Sequence, residues 1–220
     1  MKNFILLTEK NWHDDLFINL SKRPGEKWYR IKDKSSFNLE KFNDLKPDLV
    51  FIPHWSHIIQ PEIFETFECI IFHMTDLPYG RGGSPLQNLI ARGHQETKIS
   101  AIKVNEGLDT GKVYLKAPLS LLGSAEEIFL RSAEIIESMI KNIIEENPPP
   151  IEQEGKPVNF KRRKPQDGDI SNLEQLSQIY DYIRMLDCEG YPAAFLETEH
   201  FRMEFSRASL KADKSIVADV

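Results

Sequence analysis

Short apolar runs alternate along the first 120 residues with segments whose apolar positions recur every three or four residues. Phe4–Thr8, Lys27–Ile31, Asp48–Pro53, Cys69–Phe72, Lys98–Val104 and Val113–Ser120 have the length and the β-branched and aromatic content of buried strands. Between them, Asn11–Leu20 carries Trp12, Leu16, Phe17 and Leu20 on one helical face. Leu39–Leu45, Pro61–Phe67 (with its proline in the first turn) and Ser84–Gly93 also read as helices. The alternation predicts an α/β fold, a Rossmann-like and mainly parallel sheet flanked by helices.

Past residue 120 the pattern changes. Ser124 and Glu127 have capping-box spacing and open a helix over 125–146. Ile128, Phe129, Ala133, Ile136, Met139, Ile140 and Ile143 form its apolar stripe, which reads as core. Pro148-Pro149-Pro150 ends that helix, because proline lacks the N–H and restricts the residue before it. Leu173–Leu186 predicts a further helix, Tyr191–Glu197 and Phe201–Ala208 a strand pair, and Lys211–Val220 a frayed tail. The expected organisation is a catalytic domain over 1–150, a connecting arm over 151–168, and a small subdomain over 169–220 holding the helix and strand pair. Whether those last strands pair within the chain or with a second copy, as in a homodimer, stays open.

At 220 residues the chain supports one good-sized domain with a small appendage. No run approaches the ~18 apolar residues of a membrane span, and the first residues are too soon charged for a secretory signal. Cys69 and Cys188 stand in unrelated contexts, as reduced thiols of a cytoplasmic protein would. The net charge of −6 argues against nucleic acid as a partner. Lys161-Arg162-Arg163-Lys164 is the local exception, read either as a solvated connector or as a contact for the phosphates of a small ligand.

The turn after the first strand, Leu7–Trp12, holds no glycine, so neither a dinucleotide nor a nucleotide-phosphate fingerprint is present. Gly80-Arg81-Gly82-Gly83 lacks the lysine that would complete a phosphate loop. His54, His57 and His73 have no metal-ligand spacing, and no metal is expected. The loop Pro53-His54-Trp55-Ser56-His57 instead suits the wall of an organic-ligand cleft. Two polar residues stand out because each ends an apolar run and opens a glycine-containing turn. They are His73, in Phe72-His73-Met74-Thr75-Asp76-Leu77-Pro78, and Asp109, in Gly107-Leu108-Asp109-Thr110-Gly111. Strand ends on one edge of a parallel sheet are where ligands bind in open α/β folds, and a histidine and a carboxylate meeting there could form an acid/base pair.

These motifs resemble those of the folate-dependent formyltransferases, whose signature runs Asn-x-His-x-Ser-Leu-Leu-Pro, a basic glycine-containing turn, then Leu-Asp-x-Gly. Arg81-Gly82-Gly83-Ser84-Pro85 matches the turn, and Asp109 follows His73 by 36 positions, an interval that also fits. Pro53–Pro61 resembles the loop that wraps the pterin. Asn159–Arg163, Asp167–Ser171, Ile183–Asp187 and Gly190–Phe195 resemble the family's C-terminal part, so the likeness covers about residues 1–208.

The resemblance implies a formyltransferase-type fold and 10-formyltetrahydrofolate as co-substrate. It implies His73 and Asp109 as the catalytic residues, with Trp55, Ser56, His57, Ile58, Ile59, Gly107 and Leu108 holding the folate. Within the family, the Met74–Pro85 stretch looks most like the sugar-nucleotide N-formyltransferases of pseudaminic-acid-type pathways. The expected acceptor is therefore a UDP-linked 4-amino-4,6-dideoxyhexose, with Tyr79, Arg81, Gly82, Lys161 and Arg163 as its contacts. An aminoacyl carrier (a tRNA or a peptide-synthetase substrate) and a non-catalytic folate- or nucleotide-sugar-binding module are the alternatives. Methionyl-tRNA is set aside on the net charge and the short C-terminal part. One departure stands out: Ile71 occupies the place of the family's asparagine, an oxyanion donor, with Thr75 and Asp76 as conceivable substitutes.

Overall fold

Trp28, Phe4, Phe51 and Phe72 form an aromatic row across four adjacent strands, with Phe4 at 4.8 Å from Trp28, Phe51 at 6.0 Å from Phe4, and Phe72 at 6.4 Å from Phe51. The computed structural model describes residues 1–220. In chain order it contains β1 (Lys2–Thr8), α1 (Asp14–Ser21), β2 (Glu26–Ile31), α2 (Leu39–Leu45), β3 (Leu49–His54), α3 (Pro61–Phe64), β4 (Cys69–His73), β5 (Tyr79–Gly82) and α4 (Pro85–Ile90). There follow β6 (Glu96–Lys103), β7 (Val113–Ser120), α5 (Ala125–Glu146), β8 (Val158–Phe160), α6 (Leu176–Arg184), β9 (Ala194–Glu197), β10 (Arg202–Leu210) and β11 (Ile216–Asp219). Two compact units divide the chain: residues 1–81, 98–119 and 130–158 make the first, and 82–97, 120–129 and 159–220 the second.

The main sheet has the order β2-β1-β3-β4-β6-β7. Its first four strands run parallel, and β6 is antiparallel to β4. Alternate side chains point to opposite faces. Opposite the aromatic row, Ile5, Leu7, Ile31, Val50, Ile52 and Cys69 pack with Phe42 of α2 and Ile63 of α3 into one buried cluster. Burying such side chains stabilises the fold by roughly 1.5–3 kcal/mol each. Asn38 caps α2 by accepting the Lys41 N–H at 2.9 Å, and α1 is tied to α5 by Asn19–Glu137 (3.0 Å) and Arg23–Glu145 (2.9 Å). The apolar stripe read for α5 is buried throughout, and Ser124 and Glu127 exchange the two capping-box hydrogen bonds. No helix is long and apolar enough to cross a membrane.

The second unit carries an antiparallel sheet of order β11-β10-β9, with α6 against β10. Arg184 of α6, itself buried, donates to the carbonyls of Leu121 (2.6 Å) and Gly123 (2.9 Å) and pairs with Asp181 at 2.7 Å. The expected frayed tail is incorrect. Ile216–Asp219 forms β11 and pairs with β10 in the same chain, Leu210 opposite Ile216 and Ser209 opposite Val217. Four residues with a charge among them are too few for alternation to show. The same brevity hid β5 and β8, which pair as a two-stranded ribbon.

His13, at the turn between β1 and α1, is buried and shares a 2.7 Å hydrogen bond with the Thr8 hydroxyl. Burial, reinforced by His54 and Arg30, lowers its pKa to about 3. A histidine held neutral by the fold takes up a proton more readily when unfolded, so its contribution to stability is complete above about pH 6.5 and is lost on acidification. The wild type's stability advantage over His13→Gln is expected to shrink by about 1.4 kcal/mol per pH unit between pH 6 and pH 4. Urea unfolding of both proteins across that range checks this; a constant difference would show that His13 is protonated in the fold.

Candidate functional site

The C-terminal end of β4 presents His73, whose side chain is 8% exposed. Its Nε2 lies 2.7 Å from the Gly80 carbonyl, which can only accept, so Nε2 carries a proton. Its Nδ1 faces Asp109 Oδ2 at 3.6 Å, and the aspartate side chain is likewise 8% exposed. The structure thus brings His73 and Asp109 together, but not by way of one common sheet edge. β6 runs antiparallel to β4, His73 opposite Ser100 and Ile70 opposite Lys103, and Val104 donates to the Cys69 carbonyl at 2.8 Å. The chain leaves β6 at the end of β4 away from His73, and the loop 105–111 must double back to deliver Asp109. The expectation of a shared edge is corrected on that point, because an apolar run does not reveal a strand's direction.

Local bonding fixes both partners. The buried Ser100 hydroxyl donates to the Thr75 carbonyl at 2.7 Å and accepts the Leu77 N–H at 3.3 Å, pinning the turn after His73, in which the Leu77–Pro78 peptide is cis. Asp76 accepts from Lys116 (2.5 Å) and Lys98 (3.0 Å). Partial burial works against its charge, but the two ammonium groups hold its pKa below the usual carboxylate range. On the other side, Lys103 donates to the Lys112 carbonyl at 2.9 Å, and Gly111 packs against the Lys103 carbonyl so closely that a side chain there would collide with it. Asp109 itself takes the left-handed conformation, φ +54°.

Ile71 shares the His73 face of β4 but packs against two buried apolar clusters, the one that holds Ile52, Ile63 and Cys69 and the one formed by Leu77, Ile102 and Val113. Neither conceivable substitute is an idle donor: Thr75 is fully buried with its hydroxyl towards the Gly80 carbonyl (3.4 Å), and Asp76 is held by its lysines.

Of the residues expected to hold folate, Trp55 packs edge-on against Phe37 (5.5 Å) and His57 (5.3 Å), and its buried Nε1 has no hydrogen-bond partner. Ser56 donates to Glu9. Ile58 is 88% exposed and Leu108 72%, large apolar side chains with nothing over them. Ile59 instead belongs to the core cluster, and Gly107 lets Thr110 fold in close. An orphaned indole N–H and bare apolar side chains fit a planar, partly apolar ligand with polar edges.

Two of the expected diphosphate contacts, Arg81 and Arg163, are engaged within the protein. Arg81 directs Nε (3.1 Å) and Nη2 (2.7 Å) to the Gln153 side-chain oxygen, and Gln153 in turn donates to the Asp109 (2.8 Å) and Gly111 (2.9 Å) carbonyls. Tyr79 is half-buried at the start of β5. In the second unit, Gly82 packs against the Phe160 carbonyl, Arg163 lies over the Tyr182 ring at 5.0 Å and donates to the Asp167 carbonyl, and Lys161 is exposed. Sequence reasoning missed Gln153, which sits in a polar arm without pattern. No three or more His, Cys, Asp or Glu side chains are grouped as a metal site.

A formyl transferase family model matches residues 19–129, and a model of the methionyl-tRNA formyltransferase C-terminal domain matches residues 165–220. The methionyl-tRNA formyltransferase of Wolbachia pipientis subsp. Culex pipiens is 27% identical over 186 residues, 81% of this chain and 60% of that protein. That of Campylobacter lari is 28% identical over 201 residues, 89% of this chain and 61% of that protein. The chain therefore spans about three fifths of the length of these curated relatives. Among solved structures, the methionyl-tRNA formyltransferase from Clostridium thermocellum is 48% identical with a TM-score of 0.97, covering 100% of this chain and 97% of that one. HypX from Aquifex aeolicus in complex with tetrahydrofolic acid (16% identity, TM-score 0.76, 93% and 37% covered) and a 4-N formyltransferase from Francisella tularensis (16%, 0.73, 94% and 97%) share the fold.

These findings overturn the expected nucleotide-sugar acceptor. Solved structures described as sugar N-formyltransferases, at 14–15% identity, are matched at the level of fold alone, whereas the 48% identical structure is a methionyl-tRNA formyltransferase. Both grounds for setting tRNA aside fail. A chain of almost the same extent carries that name, and a net charge of −6 averages over a segment, 161–164, that is entirely basic.

Gly111→Ala is expected to lower the unfolding free energy by about 1–3 kcal/mol, since the added methyl must displace the Lys103 carbonyl or the loop. Equilibrium urea unfolding measures this; an unchanged midpoint would mean that the loop does not rest on that contact.

Proposed function

This chain belongs to the formyl transferase family, and on that premise we propose that it moves a formyl group from 10-formyltetrahydrofolate to the amine of methionyl-tRNA. The observation that carries the acceptor is the 48% identity, over the whole chain, with the Clostridium thermocellum methionyl-tRNA formyltransferase. The folate supplies a formyl carbon already bonded to a nitrogen that can leave. Trp55 Nε1, Ile58 and Leu108 supply an unpaired donor and bare apolar surface to receive it.

His73 works through Nδ1, because Nε2–H is committed to Gly80. A separation of 3.6 Å is too long for a hydrogen bond, so the Nδ1 donor of the protonated ring is not consumed by Asp109. It is offered to the formyl oxygen, where negative charge gathers as the amine attacks. The Asp109 carboxylate balances the ring's positive charge and holds a water that takes the proton lost by the amine and passes it to the folate nitrogen as that nitrogen's bond to the formyl carbon breaks. With Ile71 in apolar packing and Thr75 and Asp76 bonded elsewhere, His73 stabilises that oxygen without help from these three.

The exposed side chains of Lys161, Arg162 and Lys164 then meet phosphates of the tRNA acceptor rather than a sugar diphosphate. His73→Asn is expected to lower kcat for formyl transfer to methionyl-tRNA by about a hundredfold or more, with folate affinity by calorimetry little changed. A fully active His73→Asn protein would remove His73 from the chemistry. Wild-type protein that binds the folate but formylates no methionyl-tRNA would remove the assigned function. Reversing charge at Lys161, Arg162 and Lys164 together is expected to raise the KM for methionyl-tRNA about tenfold or more and to flatten its salt dependence. The KM for the folate should stay within about twofold; parallel changes in both would rule out a phosphate contact there.

A further inference from the structure

The segment between the triple proline and β8 is bonded to the first unit at both ends. Ile151 exchanges two backbone hydrogen bonds with Val113 (2.7 and 2.9 Å), and Val158 donates to the Pro78 carbonyl at 3.1 Å. Between these anchors lies Gln153, whose amide is used to capacity: two donors of Arg81 on its oxygen, and its own two N–H groups on the carbonyls of Asp109 and Gly111. The guanidinium can only donate and the carbonyls can only accept, so the amide has one permitted orientation.

These contacts close a circuit. Arg81 follows Gly80, whose carbonyl receives His73 Nε2–H, and the Asp109 residue that Gln153 holds by its backbone presents its carboxylate to His73 Nδ1. Asp109 stands at φ +54°, a left-handed conformation that aspartate tolerates better than most side chains but still adopts less readily than glycine, and its loop has doubled back to get there. We propose that Gln153 is a positioning residue for formyl transfer, fixing the Asp109 carboxylate against His73 by clamping the carbonyls of Asp109 and Gly111. The inference rests on the assigned reaction but is tested with and without it.

Gln153→Glu keeps an acceptor for Arg81 and removes both donors to the loop. Its kcat for methionyl-tRNA is expected to fall about ten- to hundredfold, with the KM for the folate and for tRNA within twofold of wild type. In an Asp109→Asn background the same change should have no further effect on kcat, because Gln153 acts only through Asp109. Fold-changes that multiply, or an unchanged kcat in the single variant, would overturn the proposal. Gln153→Met, close in size and without polar atoms, provides the second variant should Gln153→Glu not fold.

A substrate-free measurement separates this claim from the assigned function. In the 15N spectrum of the His73 ring, the Nδ1 resonance is expected to move in Gln153→Glu or Gln153→Met while Nε2, held by Gly80, stays in place. An Nδ1 resonance unchanged from wild type would overturn the positioning role, whether or not any acceptor is formylated. A shifted Nδ1 in a protein that transfers no formyl group would retain the positioning role and reject the reaction.

Discussion

The antiparallel run of β6 against β4 is the constraint from which the rest of the site follows. In a wholly parallel sheet, the loop after β6 would open beside His73. Here β6 ends beside Cys69, and the strand length in between is about 13 Å at 3.3 Å per residue. Each local peculiarity of residues 104–113 answers to that gap. Gly111 lets the returning chain lie against the Lys103 carbonyl, Lys112 pairs back onto Lys103, and Asp109 turns through a left-handed conformation to aim inward. A loop so routed has no strand neighbour to hold it, and the arm that follows α5 provides one.

The surroundings of His73 divide the work between apolar packing and saturated hydrogen bonds. Ile71 packs the sheet face beside the ring against two apolar clusters, while Ser100 ties the turn down through the Thr75 carbonyl and the Leu77 N–H. Cys69, on the same strand and face, is buried, and its thiol is pushed up to about 12 by that burial and by Glu68. Of the two titratable side chains on this face of β4, the thiol is thus kept protonated and inert.

Elements long enough for their period to repeat were legible in the sequence. α5, with a capping box and seven stripe residues, could be placed to the residue; β5, β8 and β11, of three or four residues each, could not, because they are held by pairing rather than by pattern. At the site, His73 and Asp109 were legible as residues but their route to one another was not, since alternation is blind to strand direction. Gln153 left no trace: a glutamine in a polar segment gains its meaning only from the carbonyls it happens to reach. The acceptor was misread because the whole-chain charge of −6 was given more weight than four consecutive cations, which were assigned to the phosphates of a small ligand.

The circuit through Gln153 also orders events in time. Residues 73, 80 and 109 lie in the first half of the chain, yet their clamp arrives only after the 22-residue α5 and three prolines have been made. Contacts so far apart in sequence form late, because the chain between them must be closed first. During synthesis the sheet can therefore assemble well before the ring and the carboxylate are held together. A nascent chain would have its shape before His73 and Asp109 met.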